Sequence, residues 1–203
     1  MPQIISIDFP EAPQLACMAL ENMGLVVLPT DTVYGVGCLI EANAITRVFE
    51  AKQRPAEKAL PVLAASIDAV QQVVSDFPET AQRLARAFWP GPLTLVLPRR
   101  DDLPENLSTL PTIGVRVPDH DGARRVIAAA GGVLAVTSAN RADEPPACTV
   151  QAAIVALMEN VALYLDGGTC PGGQASTVAT VEGTTITVLR EGPISKEALQ
   201  EAI

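Results

Sequence analysis

Helix-period and strand-period segments interleave along the chain, which predicts an α/β fold built on a mixed, twisted sheet. Three observations carry that prediction. Short apolar runs rich in Val, Ile, Leu and Ala recur at 25–28, 60–64, 93–97, 132–137 and 162–165, as expected of buried strands. Amphipathic stretches of helical length lie between many of them. No internal repeat or low-complexity linker divides the 203 residues, so the segments read as a single domain over 1–203.

The elements follow in order. Residues 11–24 place Leu15, Met18, Ala19 and Met23 at helical spacing and stop at Gly24, a C-cap residue. Leu25-Val-Val-Leu28 is a short buried strand that opens into a Thr/Tyr/Gly segment. Residues 42–52 are helical, with Ile45, Val48 and Phe49 on one face and Lys52 in the last turn. A strand at 60–64 precedes amphipathic helices at 66–75 and 78–88, opened by Ser66 and Pro78. Trp89-Pro-Gly-Pro92 breaks the chain before the strand 93–97. In 112–118, Ile113, Val115 and Val117 share one face of a strand, and Thr112, Gly114 and Arg116 share the other. A helix at 120–130, a buried strand at 132–137, a helix at 150–158 and a strand at 162–165 follow. Strands 176–181 and 185–190 and a short helix beginning near Ser195 complete the order.

Composition bounds the function. A hydrophobic fraction of 48% with 18% charged residues describes a soluble globular chain, and 3% aromatics leave the core to aliphatic side chains. A net charge of −9 opposes sequence-nonspecific nucleic-acid binding, so any basic surface is local. The N-terminus lacks the features of a signal peptide and no apolar run approaches a membrane span, which predicts a cytoplasmic protein. Four scattered cysteines without a Cys-x-x-Cys pair, and a single histidine, His120, count against a structural zinc site and predict reduced thiols.

The chemistry concentrates in a few segments. Pro29-Thr-Asp-Thr-Val-Tyr-Gly-Val-Gly37 packs the hydroxyls of Thr30, Thr32 and Tyr34 beside Asp31 at a strand end, suited to orienting a small polar ligand. Lys52, Arg54 and Lys58 put three cations within seven residues. They suit phosphate, and they equally suit a solvated turn after a helix C-terminus. Arg116 and Thr112 on one strand face would hold a carboxylate or phosphate, or simply face solvent. Thr137-Ser-Ala-Asn140 follows a buried strand, where open α/β sheets bind ligands, although Ser and Asn also serve ordinary turns. Ser138 lacks a Gly-x-Ser-x-Gly context, so a hydrolase nucleophile is not indicated. Gly167-Gly168 and Gly172-Gly173 flank either a flexible connection or a lid, and Arg190 ends the last strand where it would reach back over the sheet. Asp31 suits substrate, a magnesium ion or a helix cap, and His120 reads as a surface residue. Neither a Walker A motif nor a Gly-x-Gly-x-x-Gly follows the first strand.

In order, PTDTVYGVG (29–37), KQRPAEKALP (52–61), WPGPLTLVL (89–97), TIGVRVP (112–118), TSAN (137–140), DGG with STV (166–178) and VLREGPIS (188–195) resemble the YrdC/TsaC family of threonylcarbamoyl-AMP synthases. The resemblance spans nearly the whole chain. It implies a YrdC-like α/β sheet around a positively lined cleft, and a reaction in which L-threonine, bicarbonate and ATP give threonylcarbamoyl-AMP and pyrophosphate. It further implies that Lys52 and Arg54 are catalytic and, with Lys58, Thr112, Ser138, Asn140 and Arg190, bind ATP. Thr32, Arg116, Thr137 and Ser176 would grip threonine. Magnesium would arrive with ATP, no metal would be held by the protein itself, and the product would pass to the tRNA threonylcarbamoyl transferase complex for t6A37 modification.

The chain departs from that family's pattern at Ala59, at Ala142-Asp143 in place of a small flexible pair, and at Leu63, where some relatives carry histidine. It resembles the form without the C-terminal Sua domain. Two other readings stand beside the synthase. One is a YciO-type paralogue with a nucleotide cleft but a different or weak activity; the other is a double-stranded RNA-binding module, which the acidic balance and few aromatics oppose.

Overall fold

The computed structural model describes residues 2–55, 58–142 and 144–203. Among them, ten strands form one mixed sheet: β1 (Gln3–Ser6), β2 (Val26–Leu28), β3 (Gly35–Cys38), β4 (Val62–Ala64), β5 (Leu93–Pro98), β6 (Thr112–Arg116), β7 (Val133–Ser138), β8 (Leu163–Asp166), β9 (Thr177–Glu182) and β10 (Thr185–Arg190). Their spatial order is β1-β8-β2-β3-β7-β4-β6-β5-β9-β10. The pairs β1–β8, β2–β8, β4–β6 and β5–β9 run parallel and the others antiparallel. The α/β class and the mixed sheet are therefore as expected.

Six helices cover the sheet: α1 (Ala12–Glu21), α2 (Ala42–Lys52), α3 (Glu79–Phe88), α4 (Asp121–Ala129), α5 (Val150–Leu157) and α6 (Lys196–Glu201). The period of two divides their cores. Val26, Leu28, Leu63, Leu134, Val136 and Leu165 bury one face of the sheet against Ala16 and Leu20 of α1 and Val126 and Ile127 of α4. The alternating residues Val27, Val36, Val62, Ala135 and Tyr164 bury the opposite face with Ile45 and Val48 of α2, Leu84 of α3 and Val150 of α5. Helix termini follow local chemistry. The side chains of His120, Thr149 and Ser195 accept the backbone N–H three residues on and so cap α4, α5 and α6.

Three elements depart from expectation. β1 pairs only along one edge and shows little burial, so its residues carry no apolar alternation to read. β3, Gly-Val-Gly-Cys, looks like a loop by composition yet is wholly buried between β2 and β7. Residues 66–75 contain a 3-10 helix, Asp68–Gln72, rather than an amphipathic α-helix. Val70, Val73 and Val74 are buried there, a spacing that one tight turn satisfies, and Val74 then bridges to Arg99.

The packing predicts that Leu134→Ala, which empties a fully buried position between α4 and the sheet, lowers unfolding free energy by about 2–5 kcal/mol. Urea denaturation of the two proteins measures it.

Candidate active site

Strand register assembles one surface from distant parts of the chain. Leu63 lies opposite Arg116, Gly35 opposite Ser138, Val96 opposite Gly114, and Val178 opposite both Thr94 and Arg190. These residues share the sheet face that α1 and α4 cover elsewhere, and all of them but Val96, together with Thr30, Thr32, Val33, Tyr34, Ala175 and Ser176, line much of a cavity of about 470 Å³. Gly35 is required on this floor, because a Cβ there would sit 2.6 Å from Val136 Cγ1. That steric demand is why β3 is glycine-rich.

Arg116 anchors the cavity. It is 5% exposed, and its guanidinium donates from Nε to the Gly91 carbonyl (2.9 Å), from one terminal nitrogen to Thr32 Oγ1 (2.9 Å), and from the other to Asp31 Oδ1. Burial pulls its pKa down, and the neighbouring Asp31 carboxylate opposes that pull. Of its five N–H groups, three are engaged among the described residues, which leaves two for a ligand in the cavity that Arg116 lines. Asp31 also accepts the Asp119 backbone N–H at 3.0 Å. Its role in this structure is to hold Arg116, rather than to cap a helix. Thr32 is in turn held by Thr30, whose Oγ1 lies 2.9 Å away and donates to the Val33 carbonyl at 2.7 Å.

Ser176 forms a second polar centre. Its carbonyl accepts from Arg190 Nε (3.1 Å) and a terminal nitrogen (2.9 Å), and its Oγ lies 3.1 Å from that nitrogen and 2.8 Å from Thr94 Oγ1. The exposed Arg190 thus fastens the approach to β9, and its other terminal nitrogen makes no hydrogen bond among the described residues and is available to an anion. Burial pulls Arg190's pKa down as well.

The 52–58 cations divide. Lys52 was expected to line the cleft but is 1% exposed. Its Nζ donates to the carbonyls of Ser138 and Asn140 beneath the end of β7. Burial, with Arg54's like charge second, lowers its pKa from 10.5 to about 8. Arg54 lines the cavity and donates to the Ala59 carbonyl at 3.0 Å, and Lys58 is exposed. Asn140 gives both amide hydrogens to the carbonyls of Arg141 and Glu144, at 2.8 and 2.7 Å. Its buried Oδ1 has no hydrogen-bond partner among the described residues. A second recess of about 360 Å³, with Pro145, Ala152, Val155 and Ala156 on its walls, shares Asn140, Glu144 and Pro146 with the cavity.

The glycine-rich loop is tethered rather than free. Tyr34, wholly buried, donates its hydroxyl to the Gly168 carbonyl (2.6 Å) and accepts the Gly167 N–H (3.1 Å). Burial raises its pKa to about 12. The Gly173 N–H donates to the Thr32 carbonyl at 3.0 Å. A Cβ at Gly172 would sit 2.8 Å from the Asp31 carbonyl oxygen, so this close approach demands glycine.

Of the residues singled out in the sequence, Thr32, Arg54, Arg116, Thr137, Ser138, Asn140, Ser176 and Arg190 line the cavity. Thr112 shares the strand face of Arg116 at the start of β6; neither it nor Lys58 is on the cavity wall. His120 is the N-cap of α4. Ala142 donates its N–H to the Lys52 carbonyl at 3.1 Å, and Asp143 lies outside the described residues. Sequence reasoning missed Thr94 on the floor, Glu144 on the wall and the Gly91 carbonyl behind Arg116. Only the period of two along 93–97 pointed to the first, and Trp89-Pro-Gly-Pro92 read merely as a break.

Fold and site define an α/β protein with a cationic, hydroxyl-lined cleft on one sheet face. The chain belongs to the Sua5/YciO/YrdC family, whose model, described as "Telomere recombination", matches residues 18–192. The threonylcarbamoyl-AMP synthase of Pyrococcus abyssi is 35% identical over 181 residues, covering 88% of this chain and 53% of the relative. That of Bacillus subtilis is 34% identical, covering 98% of this chain and 58% of the relative. The chain thus spans a little over half the length of these two. It covers 96% of a Vibrio cholerae threonylcarbamoyl-AMP synthase, at 33% identity over 88% of its own length. The crystal structure of P. abyssi Sua5 complexed with L-threonine superposes with a TM-score of 0.94 at 32% identity, over all of this chain and 61% of that one. E. coli YciO gives 0.84 at 27% identity, over 98% of this chain and all of that one.

The Lys52 environment predicts a stability effect with a definite sign. Its folded pKa lies below its unfolded one, so between about pH 8 and 10.5 the unfolded chain binds more protons and stability rises with pH. Relative to Lys52→Met, the wild-type chain should gain up to roughly 3 kcal/mol across that window. Denaturation midpoints collected at several pH values check it.

Proposed function

We propose that the chain is a threonylcarbamoyl-AMP synthase acting on L-threonine, bicarbonate and ATP. The observation that carries this reading is the placement of Arg116, with two N–H groups unengaged among the described residues, in the same cavity as Arg54, Ser138, Asn140 and Arg190. The names of the relatives and the threonine complex of P. abyssi Sua5 support it.

Arg116 pairs the threonine carboxylate through a bidentate contact, flanked by Thr32, Thr137 and Ser176. The amine attacks bicarbonate and water leaves, giving a carbamate. A carbamate oxygen then attacks the α-phosphorus of ATP and pyrophosphate departs. Charge builds on phosphate oxygens in that step, so positioning and cations suffice and no covalent nucleophile is needed. Arg54, Lys58 and the open nitrogen of Arg190 serve the phosphates. Ser138 and Asn140 serve the nucleoside, with Asn140 Oδ1, which has no partner among the described residues, accepting a donor. Lys52 contributes by holding the Ser138 and Asn140 carbonyls in place. Magnesium comes with ATP, most of its oxygen ligands being phosphate and water. The product passes to the tRNA-modifying transferase complex. The setting proposed for this reaction is cytoplasmic. No helix among the described residues is long and apolar enough to cross a membrane.

Pyrophosphate release from ATP and bicarbonate should depend on L-threonine, and threonylcarbamoyl-AMP should appear by mass spectrometry. ATP binding without threonine-dependent release would transfer the chain to the YciO-type reading. Arg54→Ala should lower turnover by on the order of 10²-fold with an unchanged unfolding midpoint; near-normal turnover would remove Arg54 from the phosphate site.

A further inference from the structure

Thr94 falls within the 89–97 motif but has no role assigned above, yet it stands on the cavity floor, 7% exposed, with its Oγ1 2.8 Å from Ser176 Oγ. We propose that Thr94 is a positioning residue that makes the Ser176 hydroxyl a dedicated donor to the substrate's carboxylate or carbamate; this rests on the synthase reading.

The argument is a hydrogen count. A hydroxyl has one hydrogen and two acceptor sites. Ser176 Oγ already lies within reach of an N–H of Arg190, at 3.1 Å, and an arginine can only donate. Arg190 therefore takes one acceptor site and polarises the serine O–H, strengthening it as a donor. Thr94 Oγ1 has no hydrogen-bond partner among the described residues besides Ser176 Oγ. When an anionic oxygen enters the cavity, the serine hydrogen turns to it. The threonine hydrogen then fills the second acceptor site, and the chain runs Thr94 to Ser176 to ligand. Without the Thr94 hydroxyl, the serine loses the partner that fixes its rotamer. The Thr94 methyl has a separate, packing role, lying 3.1 Å from where a Cβ on Gly114 would stand.

Thr94→Val keeps the shape and removes the hydroxyl, whereas Thr94→Ser keeps the hydroxyl and removes the methyl. Pyrophosphate-release kinetics should show KM for L-threonine raised about tenfold in T94V with kcat within about twofold, and T94S within about twofold of wild type in both. In an S176A background, T94V should add nothing further. Calorimetric titration with L-threonine separates the two levels of the claim. Wild-type binding with an unaltered T94V affinity overturns the positioning role alone, and so does a T94S defect as large as that of T94V, which would assign the effect to packing. Failure of the wild-type chain to bind L-threonine overturns the synthase reading and this proposal with it.

Discussion

A guanidinium buried to 5% exposure must be compensated on several sides, because an unpaired charge at that depth would cost far more than a typical hydrogen bond returns. Arg116 meets that demand with three partners from two parts of the chain: the adjacent Asp31 carboxylate and Thr32 hydroxyl, and the Gly91 carbonyl. Each partner constrains its own segment. Asp31 and Thr32 must stand at the end of β2, Gly91 must follow the Trp89-Pro90 turn, and β6 must pair with β4 in the register that sets Arg116 beside Leu63. The constraints that such a centre imposes reach across the 85 positions that separate Asp31 from Arg116.

Other features follow from holding that centre open to a ligand. Gly35 keeps the sheet floor low beside Val136, and Gly172 lets the 167–173 loop lie against the backbone of Asp31 and Thr32. Tyr34 clamps that loop from below through Gly167 and Gly168. On the far side, Arg190 fastens Ser176 and Lys52 fastens the end of β7. Arg190 and the buried Lys52 thus act as braces, and Arg116, Arg190 and Arg54 present the charge to the cavity. The acidic balance of −9 over the whole chain leaves this as a local electropositive pocket in a negatively charged body.

The strands that bury both faces, such as 25–28 and 132–137, were legible because aliphatic runs leave few alternatives. β3 was not, because its glycines answer to the cavity rather than to strand propensity. The 3-10 turn at Asp68–Gln72 was misread because Val70, Val73 and Val74 suit either helix type. Most of the cavity's polar side chains were legible as hydroxyls and cations near strand ends. Thr94 was hidden inside an apolar strand, and the Gly91 carbonyl has no side chain to read. The burial of Lys52 escaped notice because its partners are backbone carbonyls nearly ninety residues away.

The central claim is that Arg116 receives a carboxylate in this cavity. Isothermal titration of the wild-type chain with L-threonine and with L-threoninamide, which lacks the anionic oxygen, tests it most directly. Binding of L-threonine with the amide weaker by at least about tenfold, the loss of a charge-assisted hydrogen bond, is the expected result. Equal affinity for the two compounds would contradict it and leave the Arg116–Asp31–Thr32 cluster as a structural brace.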